Sequence, residues 1–143
     1  MMRLLPPLAV ALAAAGCAAP RLAPPGCPES AAEMKPQALY GWWDARFGKD
    51  ASVADVQLLP HPEYAGSVRG TIARAGAPLA QLAGDINDDG QLSLDESRDG
   101  RSISAVWTAD LQPASCGKEF TGTWRNTANE QSVPVVLRKR PSP

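Results

Sequence analysis

The chain reads as an all-β domain, a small antiparallel up-and-down barrel of about eight strands, and three features predict it. Beyond Gln37, short stretches of alternating polarity are separated by Gly, Pro, Asp and Asn, the pattern of strands joined by hairpins. No run between these glycines and prolines is long enough for a substantial helix. The stretches are also numerous enough to close on themselves, which removes the exposed edges a flat meander would leave. A two-sheet β-sandwich uses the same segments, and nothing in the sequence orders the strands so as to separate the two.

The segments fall at 38–47, 53–60, 66–75, 78–87, 91–95, 101–111, 118–126 and 133–139. In the first, Trp42 and Trp43 are successive and so point to opposite faces. Trp43 shares a face with Ala45 and Phe47 and is assigned to the core, which leaves Trp42 beside Tyr40 as a candidate ligand-binding pair. In the sixth, Ile103, Ala105, Trp107, Ala109 and Leu111 share one face while Ser102, Ser104, Thr108 and Asp110 share the other, the alternation of a half-buried strand. Phe120, Gly122 and Trp124 line up in the seventh, and Val133, Val135 and Leu137 in the last. Pro134 marks that last strand as an edge or a bulge, because proline cannot donate to a ladder. Gly41 before Trp42 and Gly122 before Thr123-Trp124 suggest tight bends where a small barrel turns its corners. This Gly-Trp and Gly-x-Trp spacing is similar to that of lipocalin-like, or calycin, barrels; the resemblance implies a barrel and assigns no residue a role.

Residues 1–16 have the layout of an export signal: Arg3, an apolar stretch from Leu4 to Ala15, then small residues. The stretch is shorter than the ~20 residues that a membrane-spanning helix needs. Ala14, Ala15, Gly16 and Cys17 resemble the lipobox of bacterial lipoproteins, with Ala14 where leucine is commoner. The resemblance implies that Cys17 becomes the first mature residue, carries the lipid and anchors the chain to a membrane. Ala18 is not the aspartate that retains many such lipoproteins at the inner membrane, so the family's sorting habit implies the outer membrane, facing the periplasm. A plain signal peptide cut near Ala19 is the alternative. With Cys17 lipidated, Cys27 and Cys116 are left as an even pair in an oxidising compartment and are expected to form a disulfide.

Residues 17–37 hold Pro20, Pro24, Pro25, Pro28 and Pro36 among alanines and read as a semi-extended tether whose second half the disulfide would pin. The β domain is expected to span 38–140. The 127 residues from Cys17 onward suffice for one core and are too few for two ordinary domains. The formal charge of −1, or −2 once Arg3 is removed, gives no nucleic-acid signature. The basic end Arg138-Lys139-Arg140 falls short of the usual polybasic cluster.

One loop carries chemistry. Asp85-Ile86-Asn87-Asp88-Asp89-Gly90-Gln91-Leu92-Ser93-Leu94-Asp95-Glu96 matches the EF-hand calcium loop pattern, in which Asp85, Asn87, Asp89, the Gln91 carbonyl and a distal Glu96 would surround the ion. Its flanks do not suit a helix-loop-helix, since Gly76, Pro78, Gly84 and Gly100 interrupt both sides. The competing reading is a hairpin turn at Asp88-Asp89-Gly90, with Ile86 opposite Leu92, Gly84 opposite Leu94, and Glu96 far along the strand from Asp85. Calcium is therefore a candidate cofactor, and the hairpin and the full calcium cage compete geometrically.

No Gly-rich phosphate loop, nucleophile elbow or metalloprotease helix is present, and His61, between Pro60 and Pro62, has no motif to supply a catalytic partner. The reading is a non-enzymatic, lipid-anchored envelope protein whose β domain binds a protein, a glycan or a small apolar ligand. The alternative is a calcium-stabilised accessory lipoprotein.

Overall fold

The computed structural model describes Gly16 and residues 22–142; the rest of the expected export signal and Cys17 lie outside the described residues. Eight strands follow one another around the molecule: β1 (Gly41–Phe47), β2 (Ala54–Pro60), β3 (Val68–Ala73), β4 (Ala80–Ile86), β5 (Leu92–Ser97), β6 (Ala105–Leu111), β7 (Glu119–Asn126) and β8 (Ser132–Lys139). Every strand is antiparallel to its sequence neighbours, and β8 returns to pair with β1 from Trp43↔Lys139 to Phe47↔Val135. The barrel is closed, so the sandwich is excluded.

Strand alternation selects what the interior holds. Trp43 and Ala45 of β1, Val56 and Leu58 of β2, Leu92 and Leu94 of β5, Trp107 and Ala109 of β6, Phe120 of β7, and Val135 and Leu137 of β8 are all buried. Large rings stand among alanines and glycines, and that alternation of sizes is how a barrel this narrow fills its lumen with side chains. Gly122 shows why a small residue is needed: a Cβ there would meet the backbone of Thr108 and Ala109 on β6. At Gly41 φ is +124°, a backbone conformation that L side chains rarely adopt, and it turns the chain into β1.

Pro134 does not mark an edge. Its carbonyl accepts a hydrogen bond from the Gly48 amide at 2.7 Å, one residue beyond the β1–β8 ladder. The N–H and C=O of one strand residue point to the same side. The donor that proline lacks would therefore have faced the point where β1 has already ended, and a doubly paired strand accommodates it.

The two ends of the barrel are built differently. The β2–β3, β4–β5 and β6–β7 turns and the chain N-terminal to β1 share one end, while the β1–β2, β3–β4, β5–β6 and β7–β8 loops share the other. Two 3-10 turns, Ala31–Glu33 and Pro36–Leu39, plug the first end. Ala31 and Leu39 are buried in the core, and the Trp43 indole donates to the Leu39 carbonyl at 2.9 Å. The Cys27–Cys116 disulfide fastens the plug to the β6–β7 loop, with the Cα atoms 4.9 Å apart. The expected boundary between tether and domain at residue 37 thus falls inside the folded unit, because this proline-rich stretch buries apolar side chains once the disulfide holds it in place.

Candidate functional site

The second end is open, and its floor is a buried ion pair that the sequence reading did not assign. Glu96 ends the inward row Leu92, Leu94, Glu96 and is 1 % exposed, the one charged residue buried in the core among the described residues. Arg74 follows Val68, Gly70 and Ile72 at the same alternate spacing and enters from just beyond β3. The guanidinium grips the carboxylate with both arms, Nη1 to Oε1 at 2.6 Å and Nη2 to Oε2 at 3.1 Å. The Trp107 and Trp124 indoles donate to the same Oε2 at 2.9 and 3.0 Å. A buried carboxylate needs this number of donors, since an unpaired one would be neutralised or destabilising. Burial alone would raise the Glu96 carboxyl. The Arg74 and Trp124 hydrogen bonds, the Arg74 charge and the Trp107 hydrogen bond together outweigh it and hold the group below its ordinary value.

The same guanidinium stacks on aromatic faces, 5.0 Å from the Phe47 ring centroid and 5.9 Å from that of Trp124. Phe47 stands edge-on to Trp107 and Trp124 at 5.3 and 6.0 Å. Over this floor opens a cleft of about 350 Å³ walled by Val53, Ala54, Ala75, Ala77 and Val133, with Asp50 and Ser52 on its polar side. The Ser52 amide donates to Asp50 Oδ1 at 2.9 Å; this bond and the Ser52 side chain keep the Asp50 carboxyl below its usual range. Arg74 and Glu96 cancel in charge, so the cleft offers an apolar wall, two aromatic edges and N–H groups of a guanidinium that is still 30 % exposed.

The five calcium candidates are not brought together. Residues 85–96 form the hairpin, with Ile86↔Leu92 and Gly84↔Leu94 paired and Gly90 at φ +75°. Asn87 Oδ1 accepts from the Asp89 and Gln91 amides, both at 3.0 Å, and so closes the turn on itself. Asp85 accepts from the Ser67 hydroxyl at 3.4 Å, and the Gln91 side chain donates to Asp110 at 3.0 Å. Glu96 sits opposite Leu82 inside the barrel. Among the described residues no three His, Cys, Asp or Glu side chains form a group that could hold a metal ion. β4 and β5 continue through this segment, and strand pairing carries Glu96 to the other end of the lumen from Asp85. We predict that millimolar calcium leaves the melting temperature of the oxidised protein unchanged relative to chelator; a rise of several degrees that Asp85→Ala removes would contradict this arrangement.

The aromatic pair separates as well. Trp42 stays on the outer surface, where the Arg140 guanidinium lies 5.6 Å over its ring and is held by Asp44 at 2.6 Å and by Asp55. Tyr40 instead packs against the core, because the turn at Gly41 intervenes. His61 serves its own turn, with Nδ1 accepting from the Glu63 and Tyr64 amides at 3.1 and 3.2 Å. Asp99, in the β5–β6 loop, is spent similarly. The Ser102 and Arg101 amides, then the Ser102 and Ser97 hydroxyls, bond to it and hold its carboxyl far below the usual range.

Fold and site together define a closed eight-stranded up-and-down barrel with one plugged, cross-linked end and one open end floored by a buried arginine–glutamate pair. Comparison with protein-family models, curated proteins and solved structures returns no match for this chain.

Proposed function

We propose that the chain is a lipid-anchored envelope protein whose barrel is a binding module, and that the open-end cleft over Phe47, Arg74 and Trp124 is its ligand face. The observation that carries this reading is the polarity of the barrel. The chain enters through the plugged end, only ten residues after Cys17, so an anchor at Cys17 tethers that end and turns the cleft away from the membrane. The lumen is filled by Trp43, Trp107 and Phe120, and a ligand therefore meets the rim rather than the interior. The rim suits a neutral apolar or aromatic group, either a small molecule or a side chain of an envelope protein, with an acceptor atom for the Arg74 N–H groups. Among the described residues the one buried carboxylate, Glu96, is engaged by Arg74, Trp107 and Trp124, which supports reading the site as a binding face.

Titration with neutral phenylnaphthylamine tests the cleft. Val53 is a partly exposed wall residue, so Val53→Asp should weaken the probe at least about ten-fold while leaving the melting temperature nearly unchanged, since burying a charge against a small apolar ligand costs more than 1.4 kcal/mol. Equal affinity in both proteins sinks the assignment. The anchor has its own check: cells given labelled palmitate should label the chain, and Cys17→Ser should abolish the label and release the protein from the membrane fraction.

A further inference from the structure

The chain has four lysines, and their distribution is uneven: Lys49 lies in the β1–β2 loop at the open end, while Lys35, Lys118 and Lys139 all line one cleft at the plugged end. That cleft, about 320 Å³, has an apolar base formed by Pro28, Met34, Ala38 and the Cys116 half of the disulfide. Lys139 donates to the Ala38 carbonyl at 2.6 Å, with its ammonium 5.6 Å from the Trp43 ring centroid. Partial burial, and then the Lys118 charge, pull the Lys139 ammonium below its ordinary value. Among the described residues neither Lys35 nor Lys118 forms an ion pair. Glu33 is the one carboxylate in the lining, and the Glu29 amide donates to it at 2.7 Å. Nearby Arg138 is matched by Glu119 at 2.8 Å, so the cleft keeps an excess of positive charge.

We propose that this lysine cleft is a docking surface for the phosphate headgroups of anionic lipid in the membrane to which the chain is anchored. The proposal rests on the reading of Cys17 as the anchor. Two observations choose this occupant. The ten residue steps from Cys17 to Cys27 span at most about 35 Å even when fully extended, so the cleft is never far from the headgroups. The charge is also complementary: three lysines line one cleft against a single carboxylate, and the effective local concentration set by the tether strengthens a contact that would be weak in free solution. The acidic β4–β5 turn, with Asp88 and Asp89, shares this end and is repelled by the same surface.

The experiment supplies the anchor chemically and so does not depend on lipidation in the cell. The chain from Cys17 onward contains the whole barrel, plug and disulfide; its Cys17 thiol is coupled to maleimide-lipid in vesicles of phosphatidylglycerol with phosphatidylcholine, or of phosphatidylcholine alone. Amine-reactive footprinting then reads each lysine. On the anionic vesicles modification of Lys35 and Lys118 should slow roughly five-fold relative to the neutral ones, with Lys49 unchanged, and the protection should vanish in 1 M salt. Equal rates for Lys35 and Lys118 on the two surfaces, or equal slowing of Lys49, overturns the proposal. Failure of palmitate labelling in cells would overturn the anchor while leaving this result standing.

Discussion

Replacing Glu96 with alanine should destabilise the barrel by about 3–5 kcal/mol, a fall in melting temperature on the order of 10–20 °C for a domain of this size. The loss has three sources. Arg74 is left as a partly buried cation without its bidentate partner, the Trp107 and Trp124 indoles lose their shared acceptor, and a gap opens where the carboxylate filled the lumen. Glu96→Gln should cost less, since an amide oxygen still accepts from both indoles. The pH dependence gives a second readout. The folded-state carboxyl lies below its unfolded value, so the stability contributed by its ionised form is complete above that ordinary value of 4.5 and is lost as pH falls through the lowered folded value. Wild-type protein should therefore gain stability as pH rises through the acid range, and Glu96→Gln should show less of that gain. A variant with an unaltered melt would mean that the pair does not hold the open end together.

Reducing the disulfide should have an effect of similar size. Cys27 and Cys116 are separated by 89 positions, and closing a loop of that length stabilises the folded state by about 4–5 kcal/mol on the chain-entropy account. Its consequences should be local before they are global. Apart from the disulfide, the 3-10 plug is held by the burial of Ala31 and Leu39 and by the Trp43–Leu39 and Lys139–Ala38 hydrogen bonds. In Cys27→Ser/Cys116→Ser, amides of residues 28–39 should exchange with solvent faster than those of β6 and β7, and the melting temperature should fall by on the order of 10–20 °C. Unchanged exchange in the plug would show that packing alone holds it.

How far the chain could be read from sequence depended on whether period-two alternation was available to decide. It was for the eight strands, for the inward side of Trp43, Ala45 and Phe47, and for the row from Ala105 to Leu111; Ile103, expected on the same face, instead lies exposed in the loop before β6, where alternation no longer applies. It was also available, unused, for the open end. Leu92, Leu94, Glu96 and Val68, Gly70, Ile72, Arg74 are inward rows that each finish on a charge of opposite sign, and two such rows in one narrow barrel call for an ion pair. The calcium pattern competed for the same Glu96 and obscured that reading, because a loop motif specifies residue types along the chain and takes no account of a strand running through it. What alternation does not reach is the plug. Its proline-rich stretch has no period, and its place at the end of the barrel follows from the disulfide and from the burial of Ala31 and Leu39, both of which are relations between distant parts of the chain. Pro134 misled for a related reason: whether a strand residue needs its donor depends on how far the neighbouring strand extends.

The claim at the centre of this account is that the open end, over the Arg74–Glu96 floor, is where the barrel meets its ligand. The most direct measurement follows the four indole N–H resonances while phenylnaphthylamine is titrated into the oxidised protein. Trp124 lines the cleft, Trp107 shares its carboxylate partner beneath, Trp43 lies at the plugged end and Trp42 on the outer wall. The account predicts that the Trp124 signal shifts in a saturable way, that of Trp107 shifts less, and those of Trp42 and Trp43 stay where they are. Saturable movement of Trp42 or Trp43 with Trp124 unmoved would contradict it.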